Sequence, residues 1–348
     1  MTSHHRGIVF VDRTHGDSGA YPAITWQLAD RLSTERWSVL KTSSKSGRAS
    51  FLADVLLALW TRRHCYALAS IAVFSGPAFL WAEAAAGVLR HLGKPYVAQL
   101  HGGGLPNFAY REPDRVKRLL DAAAVVTAPS RYLQESLRPH RSDIRLMPNA
   151  IDLSSYPFRA RLTPAPRLVW LRAFHAIYNP NLALEAMVKL LPRHQEVRLT
   201  MVGPDKGDGS LQSFMHRAEE AGLQGRIDYA GLVRKDEVPV WLDKCDIFLN
   251  TTNVDNTPVS VIEAMACGLC VVSTNVGGIP YLLEHERDAL LVPPGDAGAM
   301  AEAVARVQTE PGLAEKLSRN ARRKVEAFDW QTILPHWEAL FAEVADHA

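Results

Sequence analysis

Short apolar runs alternate with longer amphipathic stretches along nearly the whole chain, and this constrains the fold more than any other feature. Runs at Gly7–Val11, Leu68–Phe74, Tyr96–Leu100, Ala124–Ala128 and Ile144–Met147 predict one series of strands. A second series is predicted at Arg167–Leu171, Arg198–Val202, Ile227–Tyr229, Ile247–Leu249, Cys270–Ser273 and Ala289–Val292. Helical stretches fill the intervals, as at Tyr21–Leu32, Val116–Ala122, Asn181–Leu191 and Pro239–Lys244. Strands that read as continuous apolar runs are buried on both faces, and β–α alternation implies parallel sheets. Five strands and then six predict an α/β protein of two Rossmann-like halves.

The length agrees, because 348 residues exceed one ordinary core and suit two. The boundary is expected near Asp152–Pro166, a stretch with three prolines and no periodicity that reads as a linker. This gives an N-terminal domain over 1–155 and a C-terminal domain over 166–327. From Phe328 onward, Trp330, Trp337 and Phe341 recur near helical spacing and predict a packing helix over 328–348 that lies across the domain seam.

The net charge of +2 gives no electrostatic footprint for nucleic acid, and no such partner is expected. The charge is uneven, however: +9 over residues 1–161 and −7 over the remainder. A basic half suits an anionic membrane surface or a phosphorylated substrate, or else only a solvated surface. Four cysteines are no disulfide framework. Cys267 and Cys270 have CxxC spacing, but no second pair or clustered His accompanies them, so the spacing reads as chance inside a buried helix-to-strand connection.

The N-terminus lacks the basic-then-apolar pattern of a signal peptide. The most apolar stretch, Tyr66–Leu89, is interrupted by Ser75, Gly76, Pro77 and Glu83, so it reads as strand, turn and helix rather than as a membrane span. A cytoplasmic protein is expected, at the inner face of the cytoplasmic membrane if it meets a membrane at all.

Ligands of open parallel sheets bind at the carboxyl ends of strands, beside helix N-termini. The most informative such connection is Asn250–Pro280. A strand ends near Asn250, Thr257 is a plausible N-cap, and Pro258 takes the first position of a helix running to about Ala266. The first-turn amides of Val259 and Ser260 and the positive end of the helix dipole suit a diphosphate. Glu263 lies among Ile262, Ala264, Met265 and Ala266, and a carboxylate there needs a partner. Ribose hydroxyls or a structural salt bridge would serve equally.

Asp255-x7-Glu263, Glu263-Ala-Met-Ala-Cys-Gly268 and Gly277-Gly-Ile-Pro280 together resemble the signature of the retaining glycosyltransferases of family 4, in the GT-B class. The resemblance continues at Leu100-His-Gly-Gly-Gly104, Ala128-Pro-Ser-Arg131, Pro148-Asn-Ala-Ile-Asp152, Met201-Val-Gly-Pro-Asp205, Tyr229-Ala-Gly-Leu-Val233 and Asp329-Trp330. It implies a GT-B fold, two Rossmann-like parallel-sheet domains facing a central cleft, with the acceptor on the N-terminal and the nucleotide-sugar donor on the C-terminal domain.

By this resemblance Glu263 holds the donor ribose, Asp255 contacts the donor sugar, His101 meets the sugar from the N-terminal side, and Arg172 neutralises the leaving diphosphate. Gly16, Ser18 and Gly19 belong to a glycine-rich first loop near the donor phosphate. Gly203, Lys206 and Val233 lie on two loops of the nucleotide pocket, and Pro258, Val259 and Ser260 form the phosphate-binding turn. Taken singly, His101 could merely cap a turn and Arg172 could be a surface charge. Glycines such as Gly16 and Gly19 mark turns generally.

Two positions depart from the family pattern. The first carboxylate of the signature is usually Glu and is Asp255 here. The family also places a Lys about five residues after the Arg, where this chain has Ile177. Lys206 or His175 is a candidate substitute for that charge.

The resemblance implies transfer of a sugar from a nucleotide-diphosphate donor with retained configuration, to a glycan or lipid-diphosphate-linked acceptor in cell-envelope or exopolysaccharide synthesis. Its design requires no metal, and no Asp-x-Asp motif stands in a suitable loop, so neither metal nor further cofactor is expected. No residue declares itself a covalent nucleophile. Positioned amides and Arg stabilise charge on the departing diphosphate. Two rival readings are a catalytically silent partner of another glycosyltransferase, which the absent Lys makes conceivable, and a nucleotide-sugar epimerase, for which no dedicated acid/base pair stands out. A nicotinamide dehydrogenase is disfavoured because no GxGxxG follows the first strand.

Overall fold

The computed structural model describes residues 6–12, 23–33, 37–43, 45 and 47–347. The chain divides into two compact units, 1–150 with 330–348, and 151–329. Each is built on one six-stranded parallel sheet.

The first sheet comprises β1 (Arg6–Val11), β2 (Trp37–Lys41), β3 (Leu68–Val73), β4 (Tyr96–Leu100), β5 (Val125–Ala128) and β6 (Arg145–Leu146), in the order β2-β1-β3-β4-β5-β6. Its central strands are buried at every position, which accounts for their unbroken apolar runs. The sequence reading expected five strands here and did not include β2. That strand is an edge strand with only Trp37 fully buried, so it carries no apolar run. Helices α1 (Ile24–Leu32), α2 (Arg48–Thr61) and α3 (Phe79–His91) connect the early strands. The C-terminal helix Trp330–Asp346 belongs to this unit. Phe341 sets its ring edge-on to Phe10 at 6.0 Å and stacks on Trp337 at 5.4 Å.

The second sheet comprises β7 (Arg167–Leu171), β8 (Arg198–Val202), β9 (Ile227–Gly231), β10 (Ile247–Asn250), β11 (Cys270–Thr274) and β12 (Leu290–Val292). Their order is β12-β11-β10-β7-β8-β9. Counted within the unit this is 6-5-4-1-2-3, the doubly wound arrangement whose order reverses between its first and fourth strands. The reversal falls between β7 and β10. Ligands of such sheets bind at the carboxyl ends of the strands flanking this reversal.

The proline-containing stretch 152–166, expected as a linker, is bound to the second unit. Arg161 is 1% exposed. Its guanidinium donates to Asp246 Oδ1 at 3.2 Å and to the carbonyls of Cys245 and Cys267 at 2.8 Å each. Arg159 and Arg167 reach the same Asp246 carboxylate. A buried charge requires such pairing, and composition does not reveal it. Cys267 and Cys270 are fully buried, and burial pushes both thiols up to about 12. They are therefore protonated at neutral pH and inert as thiolates. Among the described residues no helix is long and apolar enough to cross a membrane.

Candidate active site

The site residues of the second unit lie where its sheet order reverses. Arg172 follows β7, and the loop carrying Asp255 follows β10. Close backbone packing fixes both. The Arg172 amide donates to Val202 O at 3.0 Å, and the Gly203 amide to Gly231 O at 2.8 Å, so the ends of β7, β8 and β9 are tied together. Gly203 has φ of +142°, and a Cβ there would lie 1.7 Å from the Arg172 carbonyl. On the other side, Cβ atoms at Gly277 and Gly278 would lie 2.3 Å from Asp255 O and 2.0 Å from Asn256 O. The two glycines let the chain pass directly beneath the Asp255 loop.

Held in this way, Asp255 accepts an ion pair from Arg172 Nη2 and a bond from the Asn256 amide at 2.9 Å. The Arg172 guanidinium lies 4.4 Å from the centre of the Tyr178 ring. Burial works against the Arg172 charge, but Asp255, then Tyr178 and Glu263, hold its pKa above the ordinary value. Among the described residues its Nε is buried without a hydrogen-bond partner. So is the hydroxyl of Ser260, in the first turn of the helix Val259–Ala266. In the first turn of that helix the Val261 amide already donates to Pro258 O at 3.1 Å, which leaves those of Val259 and Ser260 without an intrahelical acceptor. Its N-cap is Pro258, not Thr257: the turn is capped without a side-chain bond, and Pro258 lies just before the helix rather than at its first position. Buried donors that lack acceptors suit an anion.

Glu263 is 2% exposed, in the second turn of the same helix. Its Oε1 accepts the Tyr156 hydroxyl at 2.6 Å and the ammonium of Lys235. The sequence reading missed both partners. Lys235 stands two residues beyond Val233, on the loop after β9, and the demand of Glu263 for a cation was the available signal. Val233 is buried on that loop. The two candidate substitutes for the absent Lys, Lys206 and His175, lie on loops after β8 and β7. Lys206 is exposed, and no side-chain bond or ion pair joins it to Arg172, Asp255 or Glu263. His175 caps a short turn, its Nδ1 accepting the Ile177 amide at 3.1 Å while Nε2 faces Asp208 at 3.8 Å. Ile177 itself is pinned to the Asp255 loop, its carbonyl accepting the Asn253 amide at 2.8 Å.

In the first unit His101 follows β4. Its amide donates to Val73 O at 2.9 Å, and its ring stacks on Phe74 at 5.0 Å. Gly102 turns the chain directly after it, with φ of +81°. Burial lowers the His101 pKa to about 4, so the imidazole is neutral at pH 7. Its Nε2 is buried without a hydrogen-bond partner among the described residues. Gly16, Ser18 and Gly19 lie outside the described residues.

The fold recurs in solved structures. Sucrose-phosphate synthase of Thermosynechococcus elongatus has the same fold, with a TM-score of 0.84 at 20% identity over 99% of this chain and 100% of that one. HepE of Anabaena, whose crystal structure contains UDP-glucose, gives 0.75 at 18% identity over 97% of this chain and 100% of that one. The fold is that of the GT-B glycosyltransferases. The family described as "Glycosyltransferase Family 4" matches residues 5–155, and "Glycosyl transferases group 1" matches residues 164–324. The chain belongs to glycosyltransferase family 4. An exopolysaccharide phosphotransferase of Streptomyces coelicolor is 28% identical over 71% of this chain and 25% of its own length. The chain spans about half the length, or less, of the first curated relatives it matches.

Proposed function

We propose that the protein transfers a sugar from a nucleotide-diphosphate donor to a glycan or lipid-diphosphate-linked acceptor, with retention at the anomeric carbon, in exopolysaccharide or cell-envelope synthesis. The observation that carries this reading is the pair of buried, unpartnered donors, Arg172 Nε and Ser260 Oγ, beside a helix N-terminus at the sheet reversal. A diphosphate supplies the acceptors they lack. Glu263 then takes ribose hydroxyls, and Asp255 orients Arg172 and contacts the sugar. His101 holds a neutral ring for a sugar hydroxyl.

In the transfer, the bond from the anomeric carbon to the diphosphate oxygen breaks. The acceptor hydroxyl bonds to the same face, and its proton passes to the departing oxygen. Charge growing on the diphosphate is met by Arg172 and the first-turn amides, whose positions are fixed before the reaction begins. No metal or further cofactor is assigned a role. UDP-glucose in the Anabaena neighbour and the exopolysaccharide relative support the donor class and the pathway class. Peripheral association with an anionic membrane face is part of this reading.

The test is a thermal-shift titration with UDP, GDP, ADP and their sugars, on wild type and on Glu263→Ala. At 100 times its Kd a ligand stabilises by about 2.7 kcal/mol. A shift by one nucleotide in wild type and not in the variant supports the donor site. No shift with any nucleotide refutes it and leaves the silent-partner reading, to which Ile177 already points.

A further inference from the structure

Helix α2 is apolar on the side that faces away from its own core. Phe51, Val55 and Leu59 are buried against the first sheet. The opposite side carries Ala49, Ala53, Leu57 and Trp60, all exposed, with Leu57 at 61% and Trp60 at 47%. A helix on the surface of a water-soluble unit ordinarily presents charge there. The only charged side chains within α2 are Arg48 and Asp54.

The patch extends onto α3. Phe51 contacts Trp81 ring to ring at 5.1 Å, and Trp60 stacks on His91 at 5.8 Å. Contacts nine residues apart on one helix thus meet residues ten apart on the other, so the two run side by side in the same direction. α3 adds Leu80, 54% exposed, with Ala84 and Val88 half-buried. Apolar surface from two adjacent helices, open on the same unit, marks a contact surface.

The ends of both helices are basic. Arg62 and Arg63 follow α2, and Arg90 lies in the last turn of α3. Among the described residues no carboxylate lies within ion-pair distance of these three. Arg63 lies over the Trp60 ring at 5.4 Å and donates to the Trp60 carbonyl at 2.9 Å, so the indole and the guanidinium form one amphipathic edge. Asp54 of α2 faces Arg62 beyond ion-pair distance, and arginines beside an indole and aliphatic side chains match the headgroup layer of an anionic bilayer, where phosphate meets the first methylenes. A second copy of the chain is a poorer occupant, because a two-fold contact would set this basic edge against itself.

We propose that the outer face of α2, extended by Leu80 of α3, is the surface by which the protein lies on an anionic membrane. The inference rests on the membrane part of the proposed function and not on its donor chemistry. The test is sedimentation of the full chain with vesicles of phosphatidylcholine alone or with one third phosphatidylglycerol. Wild type is expected to bind the anionic vesicles and not the neutral ones. Leu57→Ser with Trp60→Ser should weaken that binding at least tenfold, and Arg62→Gln with Arg63→Gln about fivefold for each charge removed. All variants should keep the wild-type melting temperature and nucleotide shift, which separates failure of the surface from failure of the donor site. Wild type that ignores anionic vesicles overturns both the surface and the membrane reading. Variants that bind as well as wild type overturn the surface alone. A dimer in solution that the Leu57 and Trp60 changes dissociate assigns the face to a second copy instead.

Discussion

Lys235 sets its ammonium on Oε1 of Glu263, the same oxygen that accepts the Tyr156 hydroxyl at 2.6 Å. One buried carboxylate is thereby compensated by a cation from the loop after β9 and a phenol from the chain just ahead of β7. Its partners come from segments 28 and 107 residues away.

Removing that cation leaves the Glu263 carboxylate with the hydrogen bond from the Tyr156 hydroxyl and with Arg172 as a more distant charge. Breaking a fully buried pair by deleting one partner costs about 3–5 kcal/mol. Lys235 is 30% exposed, so solvent offsets part of this and a loss of about 1–3 kcal/mol is expected for Lys235→Met. Urea denaturation of the variant measures it. Unchanged stability would show that the contact contributes nothing in solution.

The ion pair of Arg172 with Asp255 gives a second prediction. Arg172→Lys keeps the charge but loses the fork that serves Asp255 with one nitrogen and leaves Nε for a ligand. A fall in kcat/KM of about 10²–10³ is expected, the range for removing one preorganised donor to developing charge. The melting temperature should move far less than activity does. Equal activity of the two proteins would place the diphosphate elsewhere.

Most of the architecture was legible, because a strand buried on both faces must be apolar throughout. The edge strand β2 was not, since its exposed side relaxes that demand. The candidate site was legible where one loop and its helix carry it, from Asp255 through Ser260 to Glu263. Lys235 and Tyr156 were not, because their role exists only once distant segments meet. Arg161 is the clearest case: in sequence it looks like a linker charge, and in the fold its side chain is fully buried against Asp246.

Ile177 occupies the place where the family pattern has a Lys, and it is 37% exposed, so a longer side chain has room. Ile177→Lys would add a positive charge on a segment already bonded to the Asp255 loop. A partly solvated charge near a phosphate contributes about 1 kcal/mol, or about fivefold in affinity. Donor or nucleotide affinity measured by calorimetry should rise by about that factor with little change in stability. An unchanged or weakened affinity would mean that the diphosphate does not pass this position.

Glycines 277 and 278 test whether the loop above them must stay where it is. Ala at either position brings a methyl within 2.3 Å or 2.0 Å of a backbone oxygen, a contact that only movement of the Asp255 loop can relieve. Gly278→Ala is expected to cost about 1–3 kcal/mol of stability. It should also lower kcat at least tenfold even where the protein remains folded, since Asp255 and Arg172 move together. Full activity in a folded variant would show that the loop tolerates displacement.

His101 provides a dependence on pH. Burial holds its pKa at about 4, below the ordinary value of about 6.5 for an unfolded chain. Between those values the unfolded chain binds a proton that the folded one refuses, so stability must rise with pH across this window and fall as pH drops through it. Above about pH 6.5 both states are neutral at this ring and the contribution is flat. His101→Gln removes the titration while keeping a polar side chain of similar reach. The melting temperature of wild type should therefore decline more steeply than that of the variant from pH 6.5 to pH 4, with the two curves parallel above pH 7. Parallel curves throughout would mean that the ring is solvated in the free protein, and that its unpartnered Nε2 is not held in reserve for a ligand.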